Sequence, residues 1–120
     1  MNSELLKIIP VLPSANIARD VSWYKEQAGF DAWFYDDMYA VLYRESLVIH
    51  LQWHAGTESD PLNGGSVIRI SVKNIEPLFN EFVQRGTVSA DSFKRGTPWE
   101  TNEFGFFDLN RNAVFIMEDI

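Results

Sequence analysis

A chain of 120 residues, 46% hydrophobic and 14% aromatic, is long enough for one domain with its own core and too apolar to remain disordered. The absence of cysteine excludes disulfides, thiolate zinc sites and thiol nucleophiles, and is compatible with a cytoplasmic location. A formal net charge of -7 makes nucleic acid and anionic membrane surfaces poor partners, because both select cationic proteins. The same charge serves solubility or suits a cationic ligand. The opening MNSELLKIIPVLPS carries an acid and no long apolar run, so no signal peptide is read. No window of the chain approaches the roughly eighteen apolar residues of a membrane span.

In chain order, KIIPVL (7–12) predicts a short strand with Pro10 at an edge or bulge. Asn16 is expected to cap a helix over 17–27, where Ile17, Val21, Tyr24 and Ala28 share one face and Gly29 ends the run. FDAWFY (30–35), YAVLYR (39–44) and LVIHLQW (47–53) read as strands. A polar loop with Pro and Gly punctuation, HAGTESDPLNGG, follows, and then the order restarts. VIRISV (67–72) is a strand, Asn74 is expected to cap a helix over 75–85, and Gly86 ends it. VSADSF (88–93), EFGFFDL (103–109) and AVFIME (113–118) complete the second set, with a turn at 110–112.

The pattern β-α-β-β-β therefore occurs twice: one module over about 5–54, a linker over 55–65, and a second module over about 66–120. This is a single α+β domain with eight expected strands and two helices. A helix covers one face of each sheet. The other face must be buried elsewhere or form a concavity.

His50 and His54, the two histidines of the chain, are four residues apart in LVIHLQWH. On a helix that spacing suits a metal, but on a strand it spans about 13 Å, too far for one ion. Strand alternation instead puts Val48, His50 and Gln52 on one face, opposite Ile49 and Leu51. Arg69 repeats the situation between Val67 and Ser71. Such polar strand faces serve either solvent or a ligand cavity. Asp36-Asp37 reads as a solvated turn, and neither a Ser-His-Asp set nor a Gly-rich phosphate loop has usable context. Aromatic residues cluster at Trp33, Phe34, Tyr35, Tyr39, Tyr43, Trp53, Trp99, Phe104, Phe106 and Phe107. Trp33 to Tyr35 cannot all face inward on one strand, so some line a groove or an interface. Trp99, after Pro98 in GTPWET, is expected in a mobile loop placed to close over a flat ligand.

Three segments carry a family likeness. VLPSANIARDVSWYKEQAGF, LVIHLQWHAGTESDPLNGG and RGTPWETNEFGFFDLNRNAVFI occur in the order of the paired βαβββ modules of the glyoxalase/bleomycin resistance/dioxygenase (vicinal oxygen chelate) superfamily. The chain resembles that superfamily over nearly its whole length. By that resemblance, the four metal-ligand positions fall at Ile9 (or Ile8), His50, Val67 and Phe115, of which only one can ligate. Glu100 stands where Gly usually follows the Trp, and Leu109-Asn110-Arg111 replaces Pro-Asp-Gly, with Asn expected to supply the left-handed residue.

The resemblance is strongest to the bleomycin-resistance branch. It implies a metal-free, cofactor-free homodimer whose aromatic-lined clefts hold a flat, cationic antibiotic. Trp33, Tyr39 and Trp99 would stack on the ligand, with Phe104 as a further lining ring. His50, Gln52 and Arg69 would supply polar contacts, and Asp60 would attract the cation. Two other readings stay open: a glyoxalase-like lyase or dioxygenase with a degenerate metal site at His50, and a module whose aromatic face docks another protein.

Overall fold

In the computed structural model, which describes residues 2–120, the repeated helix–strand order is present with one strand fewer than expected. The elements are β1 (Val11–Ser14), α1 (Ile17–Ala28), β2 (Asp31–Tyr35), β3 (Tyr39–Arg44), β4 (Leu47–Trp53), β5 (Val67–Ser71), α2 (Ile75–Arg85), β6 (Thr101–Phe107) and β7 (Ala113–Asp119). One sheet has the order β1-β4-β3-β2 and the other β5-β7-β6. In each, the first strand of the module runs parallel to the last, and the remaining pairings are antiparallel.

Four local expectations are corrected. The first strand begins at Val11, not Lys7. Pro10 offers only its carbonyl to the His50 amide, and ladder pairing starts with Val11 opposite His50. VSADSF is not a strand. Ser89 and Ser92 close it into a turn, through Ser89 Oγ donating to Asp91 and Ser92 Oγ donating to the Ser89 carbonyl. What remains of that strand is one bridge between Lys94 and Glu103.

Asn74 does not cap α2 with its side chain; it sits at φ 61. The Glu118 carboxylate, arriving from β7, accepts from the Asn74 and Ile75 amides and so supplies the anion at the helix N-terminus. In the turn before β7 it is Arg111, not an Asn, that takes the left-handed conformation, at φ 64. Asn16 does cap α1, its side chain accepting from the Arg19 amide at 3.0 Å, and Gly29 ends the helix at φ 71.

The two modules share one core. Ile17, Tyr24 and Ala28 of α1 and Ile75 and Phe82 of α2 join Leu12, Ala40, Leu42, Ile49, Leu51, Phe104, Val114 and Ile116 from the strands. Trp23 of the first module reaches Phe106 of the second, with ring centroids 6.0 Å apart. Polar clamps close both ends of this seam. At one end, Arg44 donates to both oxygens of Glu81 and to the Ala28 carbonyl, while Arg85 donates to Glu81 and to the Glu26 carbonyl. Of the orphan carbonyls at the end of α1, that of Ala28 is satisfied by Arg44 of its own module and that of Glu26 by Arg85 of the other.

At the other end the turn after β6 enters the first module. Asp108 accepts from Tyr24 Oη at 2.7 Å, from the Asn112 side chain at 2.8 Å, and from the Asn110 and Asn112 amides. Asn110 donates to Asp20 and accepts from the Ala15 amide. Burial, with the Asp108 carboxylate beside it, pushes the Tyr24 hydroxyl well above its ordinary range.

A buried carboxylate with four donors is costly to disturb, because each loses its partner away from water. Tyr24→Phe should cost about 1–2 kcal/mol, and Asp108→Ala roughly 3–5 kcal/mol, in urea unfolding. Equal, small losses in the two variants would show that this clamp does not hold the modules together.

Candidate functional site

Each sheet buries one face under its helix, and alternation sends the remaining side chains to the opposite, open face. On the first sheet that face carries Tyr39, Val41 and Tyr43 from β3 and Val48, His50 and Gln52 from β4, with Val11 and Pro13 from β1. Trp33 follows core-packed Ala32 and so joins them, and a register shift between Ala32 and Phe34 then sets Phe34 opposite Val41. The Trp33 indole stacks on Tyr43 with centroids 4.4 Å apart and planes 18° from parallel, yet stays 63% exposed. His50 Nδ1 is hydrogen-bonded to Tyr39 Oη at 2.8 Å, with the two rings edge to face.

The open face of the second sheet centres on Glu103, which sequence reasoning did not single out. It is 4% exposed, although it points away from the helix-covered core. Its Oε1 accepts from Trp99 Nε1 at 2.6 Å, Thr101 Oγ1 at 2.6 Å and Arg69 Nη2 at 3.0 Å. Burial alone would raise this carboxyl, but the hydrogen bonds from Thr101, Trp99 and Arg69 outweigh it and hold the pKa below the ordinary glutamate range. Arg69 is further held by Met117 Sδ and lies 5.4 Å over the Phe115 ring.

Trp99 is therefore not free to swing. Its indole is fastened to Glu103, and its turn is closed by the Glu100 amide donating to the Thr97 carbonyl, with Glu100 at φ 63. Its ring remains 59% exposed, so it offers a fixed aromatic surface rather than a closing flap. A groove of about 400 Å³ lies where the two sheets approach, lined by Ser46–Ile49 and Ile68–Ser71, with Lys7–Pro10 alongside. Arg69 and Val48 both line it.

Of the residues expected from sequence, Trp33, Tyr39, His50 and Gln52 share the first open face, and Arg69 and Trp99 share the second. Two do not join them. Phe104 is 2% exposed on the opposite side of β6, where its ring meets Phe79 and Phe82 under α2. Asp60 closes the loop after β4. Its side chain is held by His54 Nδ1 and the Ala55 amide, its carbonyl accepts from Gly56 and Thr57, and His54 and Ala55 together keep its carboxyl below the ordinary range.

Residues around His50 do not fit a metal. Val11 and Val41 are its ladder neighbours, and neither side chain can ligate. At the second-module positions, Val67 pairs with Ala113 and Arg69 with Phe115. Among the described residues, no three His, Asp or Glu side chains converge as a metal-binding group.

No family model matches the chain. It is similar to a bleomycin resistance protein of Geobacillus stearothermophilus, 23% identical over 130 aligned positions that cover 97% of this chain and 98% of that one. Among solved structures, it superimposes on a bleomycin-binding protein of Streptomyces verticillus complexed with copper(II)-bleomycin at a TM-score of 0.78, with 21% identity, over 96% of this chain and 97% of the other. A glyoxalase/bleomycin resistance protein/dioxygenase from Nocardioides matches at a TM-score of 0.76 with 13% identity, covering 100% and 87%.

The Glu103 cluster makes a pH prediction. A carboxyl whose folded pKa is depressed contributes stability that is complete above its unfolded value, about 4.3, and fades as pH falls through the folded value. The wild-type chain should therefore lose stability on going from neutral pH to below that point, and Glu103→Gln, which cannot titrate, should lose less over the same interval. Parallel urea-denaturation curves for the two proteins across that range would contradict this account of the cluster.

Proposed function

We propose that this chain, which has the fold of the glyoxalase/bleomycin resistance/dioxygenase superfamily and stands close to the bleomycin-resistance type, binds a flat, cationic antibiotic of the bleomycin class without a metal of its own. The observation that carries the reading is the pair of open sheet faces. Each presents an exposed indole held in a defined orientation, Trp33 by Tyr43 and Trp99 by Glu103, beside a few fixed polar groups. Rings held in this way lose little freedom when a planar ligand stacks on them, which favours affinity without chemistry. His50, with Tyr39, and Gln52 supply hydrogen-bonding groups on one face, and Arg69 on the other. The net charge of -7 favours the approach of a cation.

The likeness of the whole chain to bleomycin resistance proteins supports the ligand class, and the absence of cysteine suits a cytoplasmic place of action. Association of two chains would cover what one chain leaves bare. Trp33, Phe34, Tyr35 and Met38 form an exposed apolar cluster on one sheet, and Leu5, Leu6 and Ile8 before β1 are also exposed, Leu5 to 99%. In this reading the clefts form between the open faces of a homodimer and hold two symmetry-related ligands. Among the described residues no helix is long and apolar enough to cross a membrane. The metal-dependent reading at His50 is not favoured, because its ladder neighbours Val11 and Val41 carry no ligating side chain and its Nδ1 is engaged by the Tyr39 hydroxyl.

Titration with metal-free bleomycin should change tryptophan emission in a saturable way at micromolar drug. Trp99→Ala and Trp33→Ala should each weaken binding about tenfold or more, as expected for buried stacking contacts at the centre of an interface. Sedimentation should give twice the 13.8 kDa chain mass. A flat fluorescence titration would reject the drug-binding reading, and a 13.8 kDa particle that binds drug would reject the dimer alone.

A further inference from the structure

Glu103 has a second oxygen that its three donors leave untouched. Trp99, Thr101 and Arg69 all donate to Oε1, and no described residue donates to Oε2. Nor is Oε2 sealed away: among the described residues, the buried side-chain oxygen or nitrogen without a partner is Asn112 Oδ1 alone. An ionised carboxylate oxygen carries two lone pairs, so this atom is an unfilled acceptor on a side chain that is more than nine-tenths buried.

Beside Glu103 is a groove of about 200 Å³, lined further by Gly105, Phe107, Ala113, Phe115, Ser92 and Lys94. Ladder pairing explains its shape. Gly105 lies opposite Phe115 and Phe107 opposite Ala113, so two rings alternate with two positions of minimal side chain. Gly105 makes room for one of them, since a Cβ there would stand 2.7 Å from Phe115 Cδ1. The Phe107 ring is 69% exposed and walls the outer side. A glutamate with an unfilled carboxylate oxygen, lining a groove walled by aromatic rings, suits an N–H-bearing cation, by hydrogen bond at the head and by ring contact along the body.

We propose that the groove between Glu103, Phe107 and Phe115 is a subsite for an ammonium or guanidinium group, with Glu103 Oε2 as its acceptor. This deepens the reading above by assigning the cationic part of the ligand to the second sheet. Arg69 already offsets part of the Glu103 charge, but its side chain is 39% exposed and that of Glu103 only 5%, so water screens the arginine more than the carboxylate. Lys94 is the competing cation at the rim. It is exposed and makes no ion pair with Glu103, so its stem can turn to solvent when the groove fills.

Benzylammonium chloride, an ammonium on a single ring, is the probe, and benzyl alcohol is its neutral control. Amide chemical shifts followed by NMR should move saturably at Gly105, Phe107 and Phe115 with benzylammonium and not with benzyl alcohol at equal concentration. Glu103→Gln should weaken the interaction about tenfold or more, in line with loss of a charge-assisted hydrogen bond. Phe107→Ala, at an exposed ring whose loss leaves the core intact, should weaken it as well, and it keeps the test usable if Glu103→Gln fails to fold. Equal shifts from the neutral control, or unchanged affinity in the folded variants, would overturn the subsite. The probe contains no bleomycin, so a failed drug titration and a failed subsite are read separately.

Discussion

Both helices bury their apolar faces in a single core shared by the two modules, and the rest of the molecule follows from that. Tyr24 and Phe82 occupy the interior from opposite modules, and Trp23 crosses from one to the contact with Phe106 of the other. Each sheet spends one face on this core. The opposite faces are then left without a covering element of the same chain, and whatever the protein recognises has those two surfaces available.

Polar groups hold the seam where apolar packing alone would leave it free to slide. Arg44, Glu81 and Arg85 satisfy the end of α1 at one side, and the Asp108 turn gathers Tyr24, Asn110 and Asn112 at the other. These contacts are directional and exchange partners across the seam, so they fix the angle between modules as well as their separation. Fixed modules mean fixed open faces. The indoles of Trp33 and Trp99 inherit that rigidity, one through a stacked tyrosine and the other through a buried glutamate.

Much of this was legible in single strands and little of it between them. Alternation in LVIHLQW correctly separates Ile49 and Leu51 from His50 and Gln52, because a strand with one covered face obeys a period of two. The same rule cannot foresee the register shift at β2 that sets Phe34, directly after Trp33, opposite Val41, since the shift depends on β3. Asn74 looks like a helix cap, yet the cap comes from Glu118, 44 residues away. VSADSF has enough apolar residues for a strand, but its serines and aspartate bond locally and make a turn. Phe104 and Glu103 are neighbours in sequence with opposite fates. Alternation in EFGFF separates Glu103 and Gly105 from Phe104 and Phe106, but nothing in it shows that Trp99, Thr101 and Arg69 gather on Glu103, because Arg69 arrives from another strand and Trp99 from a turn.

Hydrogen–deuterium exchange with and without metal-free bleomycin tests the central claim most directly, because it reports on both faces in one experiment. The account predicts added protection in β4 around His50 and in β6 around Glu103, with α1 and α2 unchanged, since the ligand meets the open faces and not the shared core. Protection confined to the helices or to the loop around Asp60, or none at all at saturating drug, would contradict it.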